Sequence, residues 1–335
     1  MRELADTLNG WRQQGRRVAV ATLVAVQGSA PRRSGARMLV SDDGSVEGSV
    51  SGGCVESDLA RVALDMIASG EAAKLLDYEL ATSVDSRPGV ERGPEATSCG
   101  SISVLVEVLA GDEPALDLAL AELAAGRACS LVTALPPGSG RLCIDHDENR
   151  AGVMQGSLGA LTAGQLRDSD EVFFEQLEPD EPLYIVGATD TAAQLCRMAS
   201  ATGFAVTVID PRAAFARPDR FLDARALLCE WPQAVFKRED LPVTASVVTL
   251  SHDEKFDMPA LEAALAADIR YVGALGSRAT QARRRRELAS RGVAEEQLDS
   301  IHGPVGLDLG GREPAEIAVA VLAELVAARH GRALS

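Results

Sequence analysis

At 335 residues and 35.1 kDa the chain exceeds one average domain, so two domains are expected. Thirty-three basic against 49 acidic residues give a net charge of −16, a field that repels phosphate backbones and argues against nucleic-acid and anionic-membrane partners. A hydrophobic share of 46% excludes wholesale disorder, and only 4% aromatics leave the cores to Ala, Val and Leu.

The start, Met1-Arg2-Glu3-Leu4-Ala5-Asp6, lacks the apolar core of a signal peptide. No uncharged apolar stretch reaches the ~20 residues needed to span a bilayer. A cytoplasmic protein is therefore expected. The six cysteines form no CxxC and no Cys/His zinc spacing, which argues against a zinc site or a disulfide framework. They are expected as reduced thiols, with Cys129, Cys143, Cys196 and Cys229 packing inside.

Residues 1 to about 170 read as an α+β domain. Leu4 to Trp11 fits a helix, Arg17 to Val26 a strand and Met38 to Val40 a second strand that turns at Asp42-Asp43-Gly44 into a third pairing segment. Apolar residues at 55, 59, 62, 63, 66 and 67 make a helical stripe. Ile102 to Leu109 is almost continuously apolar, as a buried strand should be. Pro114 to Ala125 then reads as helix and Ser130 to Leu135 as strand. Between Ala81 and Ser98 no periodicity survives, so a long loop is expected there. Asp168 to Glu181 carries seven acids and no base, with a short strand at Phe173-Phe174, and marks the edge of the domain.

From residue 182 to about 330 short apolar runs alternate with helices. Strands are expected at Leu183–Val186, Ala205–Ile209, Ala245–Leu250 and Ile269–Leu275, and helices at Thr191–Ala201 and Ala315–Ala328. That rhythm specifies a Rossmann-like, doubly wound parallel sheet covered on both faces. The first strand runs into Gly187-Ala188-Thr189-Asp190, where Thr189 replaces the middle glycine of a dinucleotide loop. Asp210, 23 residues after Gly187, is placed to accept ribose hydroxyls. Taken alone, the loop is equally a tight turn in which Asp190 caps its helix. Gly187, Asp210, His252 and Gly276 follow strand ends and should converge on one crevice, with Arg278 beside a helix N-terminus suited to a phosphate. The run Arg283 to Arg286 reads as a solvated helix face.

Two stretches of the first half carry the densest signals: Gly28-Ser29-Ala30-Pro31-Arg32-Arg33-Ser34-Gly35-Ala36-Arg37-Met38 and Gly48-Ser49-Val50-Ser51-Gly52-Gly53-Cys54-Val55-Glu56. Gly52 and Gly53 allow close approach to the backbone, and Cys54 at a helix start gains thiolate character from the helix dipole. The same pattern also suits a plain strand-to-helix turn.

With Cys99-Gly100-Ser101, Ser251-His252-Asp253 plus Asp257, Gly273 to Ser277 and Gly306 to Ala318, these stretches resemble, in order and over nearly the whole chain, the xanthine dehydrogenase accessory factor family of XdhC/CoxI type. Two departures stand out: the family's G-A-G-H loop is Gly187-Ala188-Thr189-Asp190 here, and its CGG is Cys99-Gly100-Ser101.

The resemblance implies a non-catalytic maturation factor. Such a factor binds molybdenum cofactor, protects it, supports its sulfuration with a cysteine desulfurase and inserts it into an apo hydroxylase of xanthine dehydrogenase or CO dehydrogenase type. It puts Cys54 and Cys99 forward as molybdenum or persulfide ligands, Arg32, Arg33 and Arg37 as phosphate partners and Glu56 as a pterin acceptor. Gly52 and Gly53 belong to the same expected site, and a homodimer is expected. The alternatives are an NAD(P)-dependent oxidoreductase or a nucleotide-binding sensor using the Rossmann crevice.

Overall fold

The structure is a computed structural model and describes residues 4–81, 98–135, 137–155, 163–167, 169 and 171–332. The chain divides into two compact units, Met1–Pro179 and Asp180–Ser335. The loop expected between Ala81 and Ser98 lies outside the described residues.

The first unit runs α1 (Ala5–Gln13), β1 (Val18–Gly28), β2 (Arg37–Ser41), β3 (Val46–Gly48), α2 (Glu56–Ser69), β4 (Ala73–Ala81), β5 (Ser98–Val108), α3 (Pro114–Ala124), β6 (Cys129–Ala134), β7 (Gly140–Ile144), β8 (Arg150–Met154), α4 (Ala163–Arg167) and β9 (Val172–Leu177). It holds two antiparallel sheets, β3-β2-β1-β5-β4 and β8-β7-β6-β9. The run of β1, apolar but for Thr22 as far as Val26, has a simple cause, since both of its faces are covered. Ala19, Ala21 and Leu23 pack with Leu59, Ala63 and Met66 of α2, while Val18 and Val20 pack with Leu8 of α1 and Leu120 of α3.

Two buried arginines tie the sheets together. Arg37 of β2 forks onto the Glu175 carboxylate of β9, and Arg141 of β7 reaches Glu107 of β5. Truncating one member of such a pair strands a charge in the interior, at a cost of about 3–5 kcal/mol.

The second unit runs β10 (Glu181–Val186), α5 (Asp190–Ala201), β11 (Phe204–Ile209), β12 (Ala226–Leu228), α6 (Pro232–Arg238), β13 (Ser246–Thr249), α7 (Glu254–Ala266), β14 (Tyr271–Ala274), α8 (Arg278–Ser290), α9 (Glu295–Asp299), β15 (Ile301–His302) and α10 (Pro314–Arg329). Its strands are all parallel in the order β12-β11-β10-β13-β14-β15. Counted from β10 this is 3-2-1-4-5-6, the Rossmann order, with the topological switch between β10 and β13. One face packs on α5 and α10 through Leu195, Ala199, Val321 and Leu325, the other on α6 and α7 through Val235, Leu261 and Ala264. The expected mixed α/β architecture with a Rossmann-type half is what the chain adopts.

Candidate functional site

The two glycine-rich stretches of the first unit meet at one end of its larger sheet. The β1–β2 loop carries Pro31, Arg32 and Arg33, and the β3–α2 loop carries Gly52, Gly53 and Cys54. A Cβ added at Gly52 would stand 3.6 Å from Pro31 Cβ, ordinary contact, so the loops abut. Gly28 pairs with Gly100 across β1 and β5, and a Cβ at Gly100 would lie 2.4 Å from the Gln27 carbonyl oxygen. Only glycine fits that approach. The backbone of Cys99 is thereby set beside the start of the β1–β2 loop, and only its backbone is described.

The β3–α2 loop is organised around one carboxylate. Glu56, the first residue of α2, turns back and takes three donors on each oxygen. Oε1 accepts from Ser49 Oγ at 2.6 Å and from the amides of Val50 and Ser51 at 3.1 and 2.8 Å. Oε2 accepts from Ser51 Oγ at 2.7 Å and from the amides of Gly53 and Val55 at 2.9 and 3.1 Å. Ser51 Oγ in turn accepts from the Cys54 and Val55 amides at 3.0 and 3.2 Å. Burial alone would raise the Glu56 pKa, but the hydrogen bonds from Ser49 and Ser51 outweigh it and hold the group at about 2.

Glu56 was expected to meet a ligand. Its acceptor positions are instead filled by its own loop, and it works as the loop's organiser. Cys54 stands exposed two residues before the helix, whose N-cap is Val55.

Pro31 also lines a cleft of about 560 Å3, together with Arg32, Arg33, Ser34 and Arg37 and, opposite them, Gln176, Leu177 and Glu178. Arg32 and Arg33 are exposed along it. Arg37 is not: it is 5% exposed and locked on Glu175, so it braces the wall rather than facing a ligand. The cleft and its two exposed arginines suit an anionic small molecule, and Pro31 is the residue the cleft shares with the contact to the Gly52–Cys54 loop.

In the second unit the polar groups of the first glycine loop are partnered from within, while Thr189, Asp190, Phe215 and Arg220 line a cavity of about 450 Å3 beside it. Gly187 presses on the next strand end, where an added Cβ would fall 2.5 Å from Ser251 Cα. Thr189 caps α5, its Oγ1 accepting from the Ala192 amide at 3.2 Å. Arg220 donates to the Ala188 carbonyl at 3.0 Å and to Asp190 at 2.7 Å, setting an ion pair where a pyrophosphate would otherwise rest.

Asp210, fully buried, accepts from the Ala188 amide at 2.8 Å and from the backbone and side chain of Arg212 at 2.6–2.9 Å. Burial raises its pKa, yet the Arg212 and Ala188 hydrogen bonds leave it below the usual carboxylate value. It was expected to bind a ribose, but it is spent on the protein itself.

The ends of β13 and β14 differ. His252 and Arg278 are exposed there, and Gly276 lies over the buried Arg284, whose Nη1 would be 3.5 Å from an added Cβ.

The remaining cysteines sort by position. Cys129, Cys143 and Cys196 are buried, as expected. Cys129 and Cys143 approach each other across β6 and β7, and the thiol–thiol hydrogen bond with burial drives the Cys143 pKa far up. Cys229 is exposed rather than packed, because β12 ends at Leu228 and the chain turns outward. Among the described residues Glu122, Asp145 and His146 gather within 4.8 Å. Arg127 forks onto Glu122 at 2.5 and 2.8 Å, and Asn149 occupies Asp145, so the group reads as an ion-pair network. No described helix is long and apolar enough to cross a membrane.

Residues 11–79 match the model of the XdhC and CoxI family, and residues 183–325 match that of the XdhC Rossmann domain. The chain belongs to the XdhC/CoxI family. It is 28% identical to a probable xanthine dehydrogenase subunit of Bacillus subtilis, over 92% of each chain. It is also 28% identical to the molybdenum cofactor insertion chaperone PaoD of Escherichia coli, over 94% of this chain and 84% of that one. Its fold matches a crystal structure described as a xanthine dehydrogenase from Bacillus halodurans, with a TM-score of 0.80, 27% identity and coverage of 99% of this chain and 97% of that one.

Proposed function

We propose that the protein is a maturation factor for a molybdenum hydroxylase of xanthine dehydrogenase type, holding molybdenum cofactor as cargo before the apo-enzyme receives it. The observation that carries this reading is the contact of the Gly52–Cys54 loop with Pro31. That loop carries the exposed Cys54, and Pro31 is also a wall of the arginine-lined cleft, which supports grouping thiol and cleft in one site. The relative named as an insertion chaperone supports it.

In this reading Cys54 supplies a soft thiolate toward the metal, and Cys99 is a second thiol from the adjacent strand. Arg32 and Arg33 hold the cargo's phosphate. Gly52 and Gly53 keep the loop bare of side chains, and Glu56 fixes the loop so that little ordering is spent on binding. Protection of the cargo, its sulfuration with a cysteine desulfurase, delivery to a CO dehydrogenase-type client and assembly as a homodimer are parts of the same proposal. The nicotinamide and nucleotide-sensor alternatives gain no support from a crevice whose Asp210 and helix α5 start are internally paired.

The test is purification from cells that make molybdenum cofactor, followed by assay of bound molybdenum and oxidised pterin. The wild-type chain should carry both. Cys54→Ser should lose them at least tenfold with an unchanged circular dichroism spectrum. Wild-type protein free of both, or full retention by Cys54→Ser and Cys99→Ser alike, overturns the reading. Titrating NADPH should give no binding.

A further inference from the structure

In the second unit the groups a ligand would use are already consumed at the ends of β10 and β11. Asp190 faces Arg220, and Asp210 faces Arg212 and the Ala188 amide. The neighbouring strand ends carry the opposite arrangement. His252 follows β13 and Arg278 follows β14, both exposed, and neither takes part in an ion pair among the described residues. β13 and β14 are adjacent, with Thr249 paired to Ala274 and the Leu275 amide donating to the Thr249 carbonyl at 2.9 Å. The first turn of α8 has no acidic residue, whereas α5 and α7 begin with Asp190 and with Glu254 and Asp257.

His252 is held in a conformation that side chains resist. Its φ is +58°, in the left-handed region. Beneath it lies a buried chain of contacts. Ser251 Oγ donates to Asp257 Oδ1 at 2.6 Å and accepts from the Asp253 amide at 3.0 Å. Arg284 Nη2 donates to Asp257 Oδ2 at 2.6 Å, and Nη1 donates to the Leu275 carbonyl at 2.6 Å. Asp257 is fully buried and Arg284 is 3% exposed. One guanidinium therefore grips both loops, that after β13 through Asp257 and Ser251 and that after β14 through Leu275. Arg284 Nε has no hydrogen-bond partner among the described residues. A side chain buried with one donor unmet is there for its geometry, because plain packing would favour an apolar residue.

We propose that His252 and Arg278 form the ligand-binding point of the second unit for a phosphate oxyanion, and that the buried Asp257–Arg284 pair is the positioning device that holds His252 toward it. The imidazole and the guanidinium both donate to oxyanions, and they stand at the carboxyl edge where doubly wound sheets take their ligands. His252 stands one strand over from the glycine loop that this fold ordinarily uses, and Arg278 two strands over. It deepens the cofactor-handling reading, whose cargo carries a phosphate, and rests on it for the identity of that cargo.

The probe is inorganic pyrophosphate, titrated calorimetrically into the full-length protein. His252→Gly removes the imidazole and also relieves the left-handed strain. Its melting temperature should stay level or rise by about 2 °C while pyrophosphate affinity falls about tenfold. Arg278→Ala should weaken binding similarly at unchanged stability. Arg284→Met should weaken binding with His252 and Arg278 both present, and Arg284→Lys should restore part of it.

Undiminished binding in His252→Gly and Arg278→Ala, or no binding by the wild type, overturns the proposal. So does a large loss of stability in His252→Gly, which would make the residue a structural turn. Because the probe contains no molybdenum, failure here leaves the Cys54 retention assay standing. Failure of that assay likewise leaves the pyrophosphate result standing.

Discussion

One carboxylate decides the shape of the loop that presents Cys54. Six donors converge on Glu56, and each would face a poorer acceptor if the charge were removed. Glu56→Gln should cost about 2 kcal/mol in urea denaturation, a figure discounted for the group's partial exposure. The dependence on pH has a definite sign. The folded pKa, about 2, lies below the ordinary value of 4.5, so the stabilisation is fully present above pH 4.5 and is lost as pH falls toward 2. The gap between wild type and Glu56→Gln should be constant near neutrality and close progressively across that acid window. A gap that persists unchanged at pH 2 would contradict the assigned role.

At the scale of elements, the β10–α5 turn depends on Gly187. Its φ is +103°, and an added Cβ would overlap the Ser251 backbone. Gly187→Ala should destabilise the second unit by about 3 kcal/mol, read as a lowered melting temperature. The elements of this unit are legible in the sequence because each strand is a short apolar run followed by helical periodicity. In the first unit β4, for which no strand was expected, carries a period-2 signal as well: Leu76, Tyr78 and Leu80 pack inward and alternate with Asp77 and Glu79, and only the exposed Leu75 interrupts the pattern. The residues of the candidate site are legible as types and spacings, but the direction of a side chain is not. Glu56 and Asp210 look inward where ligand contacts were expected. The run of four arginines predicts a solvated face for Arg284 together with Arg283, Arg285 and Arg286, yet Arg284 is buried. Successive helical residues are turned by about 100°, so four in a row must include one that faces the core. That rule is the signal the sequence offers for Arg284.

For the whole molecule, each unit carries its own buried clusters, with Ala19, Leu59 and Val104 in one and Ile185, Leu195 and Val321 in another. Two cooperative units predict two transitions in scanning calorimetry. Gly187→Ala should lower one of them and Glu56→Gln the other. A single transition shifted by both substitutions would show that the units melt as one. The acidity that argues against a nucleic-acid partner is unevenly spent. Basic residues concentrate where anions would dock, at Arg32 and Arg33 and again at Arg278, within an otherwise repulsive surface.

The Glu56 arrangement also divides the freedom to mutate. Val50, Gly53 and Val55 contribute main-chain amides to it, so the donor itself asks only for a residue other than proline, while burial in the apolar cluster constrains Val50 and Val55 and the backbone angle constrains Gly53. Ser49, Ser51 and Glu56 contribute side chains and are constrained by identity. Cys54 contributes only its amide, to Ser51, while its sulfur is exposed and carries no folding duty. In a saturation library scored first for expression and then for cofactor retention, position 54 should tolerate nearly everything in the first screen and little in the second.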